Sequence, residues 1–267
     1  MQQKLKDALF HDAMAWVKEA GEIIKRSLMQ KLTVQYKTNF SDLVTNVDKQ
    51  VEKFFIEKIN NKYKAHHILS EEGFGDKNIT TDGVIWIIDP IDGTTNFVNQ
   101  HRNFAISLAI YEDGVGQIGI IYDVMSDEIF HCKSGEGAYV NDIPLLKLSE
   151  KSLSESLIGL NATWLTKNKK IDPSVLAPLV GKVRGVRSYG SAAIEIAYVA
   201  SGRLDGYISL RLAPWDIAAG KILVQEVGGL MTKIDGAPID LLTQNTVFVA
   251  NPFIHKEILE TIILPKL

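Results

Sequence analysis

A chain of 267 residues exceeds the usual size of one domain, so a single large domain and two closely packed domains are both expected. Its 29 Lys and Arg residues against 32 Asp and Glu residues give a formal charge of −3, which argues against nucleic-acid binding through bulk positive charge. A single cysteine, Cys132, cannot form an intrachain disulfide, and neither a signal-peptide core nor an apolar run of membrane-spanning length is found. We therefore predict a cytoplasmic protein with no membrane segment.

Two amphipathic helices are predicted at the start of the chain. Residues 5–28 carry apolar side chains at helical spacing, and a second helix begins near Asp48 with Val51 and Phe55 on its buried side. The polar residues 31–40 are predicted as a strand or a loop. A short strand over 66–70 then ends at Glu71.

The middle and the end of the chain show different patterns. Short β-prone runs with turn signals between them predict an antiparallel meander over 104–140. After about residue 148, strands over 157–161, 183–188, 207–210 and 246–250 alternate with helices over 173–180, 192–200, 215–227 and 255–263. The prediction is an N-terminal α+β half, 1–148, and a C-terminal α/β half, 149–267, that share a core.

Two carboxylates follow the apolar run that begins at Val84. Asp89 and Asp92 are separated by Pro90, which has a fixed φ and no N–H group, so a plain continuing strand is not expected. A bend there would turn both side chains toward one point. Adjacent carboxylates repel each other unless a cation lies between them, so this stretch is a candidate metal site.

Five acids lie at the edges of predicted elements: Asp48, Glu71, Asp89, Asp92 and Asp216. Each has a simpler explanation when taken singly, since an acid at a helix start is favoured by about 0.3–1 kcal/mol and one at a strand end is usually solvated. As a group they could converge where the two halves meet. Oxygen ligands without His or Cys suit Mg²⁺ or Mn²⁺ rather than zinc.

A glycine turn follows the second of the paired acids. Gly93 permits an unusual backbone conformation, and the N–H groups of a turn that begins a helix suit a phosphate. Thr94 can hold a water molecule through its hydroxyl group. A simple N-cap would explain Gly93-Thr94-Thr95 equally well, but its position beside two acids favours phosphoryl chemistry.

Several motifs occur in a characteristic order. They are Asp48, Glu71-Glu72, Asp89-Pro90-Ile91-Asp92-Gly93-Thr94 and Trp215-Asp216-Ile217-Ala218-Ala219-Gly220, supported by Ser41-Asp42-Leu43-Val44-Thr45, Gly135-Glu136-Gly137-Ala138-Tyr139 and Gly190-Ser191-Ala192-Ala193. Together they closely resemble the inositol monophosphatase family of Mg²⁺-dependent, lithium-sensitive phosphomonoesterases. The resemblance covers nearly the whole chain, and Asp-Pro-Ile-Asp-Gly-Thr with a distant Trp-Asp is a specific signal.

The resemblance implies two or three Mg²⁺ ions in each active site, with Mn²⁺ as an alternative. One ion would be held by Glu71, Asp89 and the Ile91 carbonyl group. A second would be held by Asp89, Asp92 and Asp216, and a weaker third by Glu71 through water molecules. Paired metals of this kind can clamp the attacking and leaving oxygens of a phosphoryl group.

The resemblance also implies the roles of the remaining site residues. Thr94, oriented by Asp48, would position and activate the nucleophilic water with help from Glu71, without a covalent phosphoenzyme. The N–H groups of Gly93 and Thr94 would hold the phosphate. Residues 31–40, including Lys37, correspond to a loop that closes over the metals in relatives, and relatives are commonly homodimers.

One position departs from the family pattern. Inositol-preferring members carry a Glu seven residues before the Asp of Trp-Asp, and Ser209 lies there in this chain. A serine is shorter and neutral, so the pocket is predicted to accept sugar phosphates, including fructose 1,6-bisphosphate, or the 2′-phosphate of NADP besides inositol monophosphate. Asp92 and Ala192 remain where the family contacts substrate. Arg211 could add a cation at the pocket mouth or form a surface salt bridge.

Three hypotheses about function remain open at this point. The first is the metal-dependent phosphomonoesterase, with a small phosphomonoester as its partner. A haloacid-dehalogenase-type phosphatase is disfavoured because its acids lie two apart, whereas Asp89 and Asp92 lie three apart. The third is a phospho-ligand-binding regulatory protein. The predicted fold is a mixed α/β, layered α-β-α-β-α sandwich with an antiparallel sheet in the N-terminal half and a second sheet flanked by helices in the C-terminal half.

Overall fold

The computed structural model describes residues 1–29, 32–36, 43–77 and 79–267. Its helices are α1 (Gln3–Ser27), α2 (Asn46–Lys62), α3 (Thr94–Gln100), α4 (Pro173–Val180), α5 (Ala192–Ala200), α6 (Pro214–Glu226) and α7 (Pro252–Ile258). Its strands are β1 (Val34–Tyr36), β2 (Leu43–Thr45), β3 (His67–Ser70), β4 (Val84–Asp92), β5 (Ala105–Glu112), β6 (Val115–Asp123), β7 (Glu128–Lys133), β8 (Ala138–Val140), β9 (Ile143–Pro144), β10 (Leu157–Leu160), β11 (Gly185–Arg187), β12 (Gly206–Leu212), β13 (Leu230–Thr232) and β14 (Asn245–Ala250). Half of the expected loop at 31–40, including Lys37, lies outside the described residues, as do Ser41 and Asp42.

The described elements form five layers, which confirms the predicted α-β-α-β-α sandwich. Helices α1 and α2 pack on one face of a large sheet, where Leu9 and Phe55 meet Trp86 in one apolar core. The opposite face packs on α5 and α6, which also cover the smaller sheet. Helices α4 and α7 close the outer face of that smaller sheet. Alternation along β4 explains the arrangement, because Trp86 and Ile88 face the first core and Ile85 and Ile87 the second.

The large sheet has the strand order β3-β4-β5-β6-β7-β8-β9 in the described part of the chain. Strands β4 to β9 are antiparallel, and β5 to β8 correspond to the meander predicted over 104–140. Strand β3 instead pairs in parallel with β4, with Ser70 opposite Ile88. The antiparallel sheet predicted for the N-terminal half therefore has one parallel pair at this edge, which the sequence did not predict. Parallel pairing has a functional consequence, because the carboxyl ends of β3 and β4 open on the same side.

The smaller sheet has the order β11-β10-β12-β14-β13. Strand β13 was not predicted, because three residues between a helix end and a turn give no periodicity. The last helix begins at Pro252, three residues before the prediction, with the Asn251 side chain capping it by accepting from the Ile254 N–H group.

The large sheet and the smaller sheet fall on either side of residue 148, but they are joined by a shared core. That core contains Ile87 and Tyr111 of the large sheet together with Ile196, Ile222 and Val249 of the C-terminal half. The shared core agrees with two closely packed halves, and the division at 148 stays a prediction. None of the helices in the described segments is long and apolar enough to cross a membrane.

Candidate active site

The site is built on the carboxyl end of β4, which is buried along nearly its whole length. Asp89 pairs with Ser107 and Asp92 with Ala105, so three steps on β4 match two on β5. This register shift is a bulge at Pro90, which cannot donate a ladder hydrogen bond. The bulge is closed by the Ile91 N–H group, which donates to Asp89 Oδ1 at 3.0 Å. The strand therefore bends where the sequence indicated and carries both acids into the interior.

A third acid reaches this point from the C-terminal half. Asp216 lies in the first turn of α6, where its Oδ2 accepts from the Ala213 N–H group at 2.8 Å. Carboxylate oxygens of Asp89, Asp92 and Asp216 all lie within 4.8 Å of one another. The fold thus brings together three acids that are far apart in the sequence, since 127 positions separate Asp89 from Asp216.

Electrostatics in this cluster favour a cation. Burial, and then the charges of Glu71, Asp92 and Asp216, raise the pKa of Asp89 well above its usual range. Burial also raises the pKa of Asp216, with the charge of Asp92 adding to it. Ionised together, the three acids destabilise each other, and a divalent cation would remove that repulsion. Asp89 is only 1% exposed, so the donor set is hard, oxygen-only and largely removed from water, which fits Mg²⁺.

Asp92 is held in place by the start of α5. Its Oδ2 accepts a short hydrogen bond from the Ser191 hydroxyl group and one of 2.7 Å from the Ala193 N–H group. These two bonds lower the pKa of Asp92, but burial outweighs them and raises it to about 6. One carboxylate oxygen is thereby fixed by protein groups.

Thr94 and Asp48 form a second pair beside the acids. The Thr94 hydroxyl group lies 3.2 Å from Asp48 Oδ1 and 3.1 Å from the Ile91 carbonyl oxygen. Asp48 is fully buried, and its other oxygen accepts from the Thr45 N–H and hydroxyl groups in a capping box at the start of α2. Burial raises the pKa of Asp48 to about 6 against the effect of the Thr45 bonds.

Glu71 lies in the turn that follows β3. The parallel pairing of β3 with β4 places this turn beside the end of β4. Glu71 is not one of the three acids within 4.8 Å of each other, but its negative charge raises the pKa of Asp48, Asp89, Asp92 and Asp216. All five predicted acids therefore belong to one electrostatic neighbourhood.

Gly93 joins the acids to α3 and has two reasons to be glycine. Its φ of 93° lies in the left-handed region, which favours glycine. A Cβ atom would also lie 3.1 Å from the Asn103 carbonyl oxygen and 3.2 Å from the Ser191 Cβ. Thr94 begins α3, so its N–H group has no acceptor within the helix.

The predicted substrate residues lie on two neighbouring elements. Ala192 is the buried first residue of α5. Ser209 lies on β12, is 6% exposed, and its side chain interacts with Tyr207. Burial and then the charge of Glu195 raise the pKa of Tyr207. The charges of Asp92 and Asp216 raise this pKa by smaller amounts, so the Tyr207 hydroxyl group lies within electrostatic range of the acids. Arg211 is exposed two residues beyond Ser209.

Three residues that support the site were not predicted from the sequence. Ser191 donates a hydrogen bond to Asp92, Thr45 donates one to Asp48, and Glu52 accepts one from the turn that carries Glu71. Ser191 and Thr45 lie inside stretches that already resembled the family, so their motifs carried a signal. Glu52 had no signal, because a Glu inside a helix is usually solvated.

Comparison with known proteins gives consistent matches over almost the whole chain. The model of the inositol monophosphatase family matches residues 6–264. The chain is 56% identical over 248 residues to inositol-1-monophosphatase of Bacillus subtilis, covering 93% of this chain and 94% of the relative.

Two solved structures show the same architecture. Inositol monophosphatase II from Staphylococcus aureus superposes with a TM-score of 0.89 at 42% identity, covering 97% of this chain and 94% of that one. An IMPase/NADP phosphatase complexed with Mg²⁺ and phosphate gives a TM-score of 0.88 at 28% identity, covering 96% and 95%. The matches therefore extend over both halves of the chain, including every element that carries a site residue.

Proposed function

The chain belongs to the inositol monophosphatase family of phosphomonoester hydrolases, and we propose on that premise that it hydrolyses inositol monophosphate to inositol and inorganic phosphate. The observation that carries the proposal is the convergence of Asp89, Asp92 and Asp216 within 4.8 Å, beside the Thr94–Asp48 hydrogen bond. The relative at 56% identity is named inositol-1-monophosphatase, which supports this substrate.

Two or three Mg²⁺ ions are proposed as cofactors, with Mn²⁺ as a substitute. Their ligands would be Glu71, Asp89, Asp92, Asp216 and the carbonyl oxygen of Ile91. The buried oxygen donor set supports this choice, and one similar structure contains Mg²⁺ and phosphate. When bound, Mg²⁺ supplies positive charge at the phosphoryl oxygens and makes water more acidic.

The chain's own residues would orient the reactants. The Thr94 hydroxyl group has one proton, which it can donate to Asp48 or to the Ile91 carbonyl group, leaving its lone pairs free to accept from a water molecule. Asp48 and Thr94, with Glu71, would hold that water in line for direct attack on phosphorus. The N–H groups of Gly93 and Thr94 would hold the phosphate oxygens.

The test is release of inorganic phosphate from inositol 1-phosphate with and without Mg²⁺. Asp89→Asn should lower kcat by several orders of magnitude, because it neutralises the ligand proposed to be shared by two metals. Asp142→Asn is the control, because this aspartate is exposed and the same change is made. Near-normal Mg²⁺-dependent turnover by Asp89→Asn would show that the site assignment is wrong.

A second candidate substrate is the 2′-phosphate of NADP, with sugar phosphates such as fructose 1,6-bisphosphate as further members of the same class. The neutral Ser209 at a buried position of β12 favours this broader specificity, and one similar structure is named an IMPase/NADP phosphatase. A panel of phosphomonoesters compared by kcat/KM separates the candidates. A far higher kcat/KM for inositol 1-phosphate than for every other compound would contradict relaxed specificity.

We also propose a cytoplasmic homodimer that is inhibited by Li⁺. The family resemblance supports the dimer and the inhibition, and the single buried cysteine supports a reducing compartment. Light scattering would give the oligomeric state, and a Li⁺ titration of phosphate release would give the inhibition. A monomer at micromolar concentration would contradict the dimer.

A further inference from the structure

Helix α2 carries a second buried acid, one helical turn after Asp48. Glu52 has no exposed surface, and its carboxylate accepts three hydrogen bonds from the end of β3 and the turn after it. Oε1 accepts from the Ser70 hydroxyl group at 2.7 Å and from the Phe74 N–H group at 2.8 Å, and Oε2 accepts from the Glu72 N–H group at 2.6 Å. Glu71 lies between two of these contacts, those of Ser70 and Glu72. We propose that Glu52 is a positioning residue that fixes Glu71 in the active site, an inference that rests on the metal role proposed for Glu71.

The spacing of the two buried acids on α2 indicates that both position groups of the active site. Asp48 and Glu52 are four residues apart, so they lie on one face of the helix. Asp48 bonds Thr94, and Glu52 bonds the turn that contains Glu71. One rigid helix thus sets the positions of the two groups proposed to orient the water. A helical support places side chains more accurately than a loop does.

In the described part of the chain, a second anchor holds the far end of this turn. There Asp76 pairs with Ile68 of β3, donating its N–H group to the Ile68 carbonyl oxygen at 2.8 Å and accepting from the Ile68 N–H group at 3.0 Å. Gly75 permits this close return, since a Cβ atom there would lie 2.5 Å from the Ile68 carbonyl oxygen. Residues 70–74 lie before this anchor, and Glu52 ties them to α2.

A carboxylate suits this position because all three of its partners are donors. Glu52→Gln keeps the size of the side chain but turns one acceptor oxygen into an NH₂ group facing an N–H donor. At least one bond to the turn is then lost, while the packing of α2 is conserved. Outer residues that orient metal ligands typically change metal affinity or activity by about 10- to 100-fold. We expect Glu52→Gln to weaken Mg²⁺ binding by a factor in this range.

The experiment uses the full chain and measures Mg²⁺ binding by calorimetry, together with amide hydrogen exchange of the metal-free protein. Glu52→Gln should weaken Mg²⁺ binding and speed up exchange in peptides covering 70–76. The matched control is Glu57→Gln, which makes the same change at a position of the same helix that is not buried and should alter neither quantity. Unchanged Mg²⁺ affinity in Glu52→Gln, or an equal change in Glu57→Gln, would overturn the proposal.

Two further variants keep the outcomes separate. If Glu71→Gln leaves Mg²⁺ binding unchanged, the metal role of Glu71 in the proposed function is wrong. If Glu71→Gln weakens binding and Glu52→Gln does not, only the positioning role is wrong. Should Glu52→Gln fail to fold, Ser70→Ala decides, because it removes one of the three bonds and should weaken Mg²⁺ binding by a smaller factor. No weakening in Ser70→Ala would then overturn the proposal.

Discussion

Asp92→Asn tests whether the acid cluster destabilises the protein in the absence of a cation. Asp92 is 8% exposed, and burial raises the pKa of its carboxyl group from 3.8 to about 6. One pKa unit corresponds to about 1.4 kcal/mol, so ionised Asp92 lowers the free energy of unfolding by about 3 kcal/mol. The asparagine of the variant can keep the hydrogen bonds from Ser191 and Ala193 through its amide oxygen and directs its NH₂ group toward the other acids.

The size of the effect should depend on pH in a defined direction. At about pH 4 the carboxyl group is protonated in the folded state and only about half ionised in the unfolded state, so the wild type and the Asp92→Asn variant differ little in stability. Because the folded pKa is the higher one, the wild type loses stability as pH rises toward about 6, and the loss is complete above it. At pH 8 without divalent ions, Asp92→Asn should therefore be more stable than the wild type by up to about 3 kcal/mol. At about 2–4 °C per kcal/mol, this is a higher Tm by up to about 6–12 °C.

The assay is thermal and urea unfolding in EDTA at pH 8 and pH 4, repeated with saturating Mg²⁺ at pH 8. Mg²⁺ should stabilise the wild type and remove or reverse the stability difference between Asp92→Asn and the wild type, because a ligand that binds only the folded state raises its stability. Asp142→Asn makes the same change at an exposed position and should have the same stability as the wild type under every condition. If Asp92→Asn is equal to or less stable than the wild type in EDTA at pH 8, the reasoning about repulsion and burial is refuted.

Two predictions concern catalysis and specificity. Thr94→Val removes the hydroxyl group that bonds Asp48 and the Ile91 carbonyl oxygen. In steady-state kinetics kcat should fall by about 10²–10⁴, the usual contribution of a positioned proton-transfer group. A fall of less than about threefold would argue against the role of Thr94. Ser209→Glu restores a carboxylate that can accept hydrogen bonds from two hydroxyl groups, so kcat/KM for inositol 1-phosphate should rise relative to that for NADP. An unchanged ratio would show that Ser209 does not set specificity.

Local sequence patterns were enough to predict much of the molecule. Apolar spacing predicted α1, α2 and most strands, because an element with one buried face shows its period in the sequence. Asp89, Pro90 and Asp92 are neighbours in the chain, so a bend with two acids could be predicted from them alone. The order of the acid motifs then identified the family, and with it the five layers.

Other features arise only when distant segments meet. Parallel pairing of β3 with β4 is not visible in either strand, yet it places Glu71 beside Asp89. Ser191 bonds Asp92 across 99 positions, and no local pattern encodes that contact.

The sequence by itself determined which residue types are available for the chemistry and in which order they occur, because side-chain identity and element period are local properties. The tertiary structure decided which of them converge. Asp216 joins Asp89 and Asp92 because α6 packs against β4 through a core shared by both halves. Glu52, an ordinary helical Glu in the sequence, lies against the Glu71 turn because α2 packs on the large sheet and buries its carboxylate there.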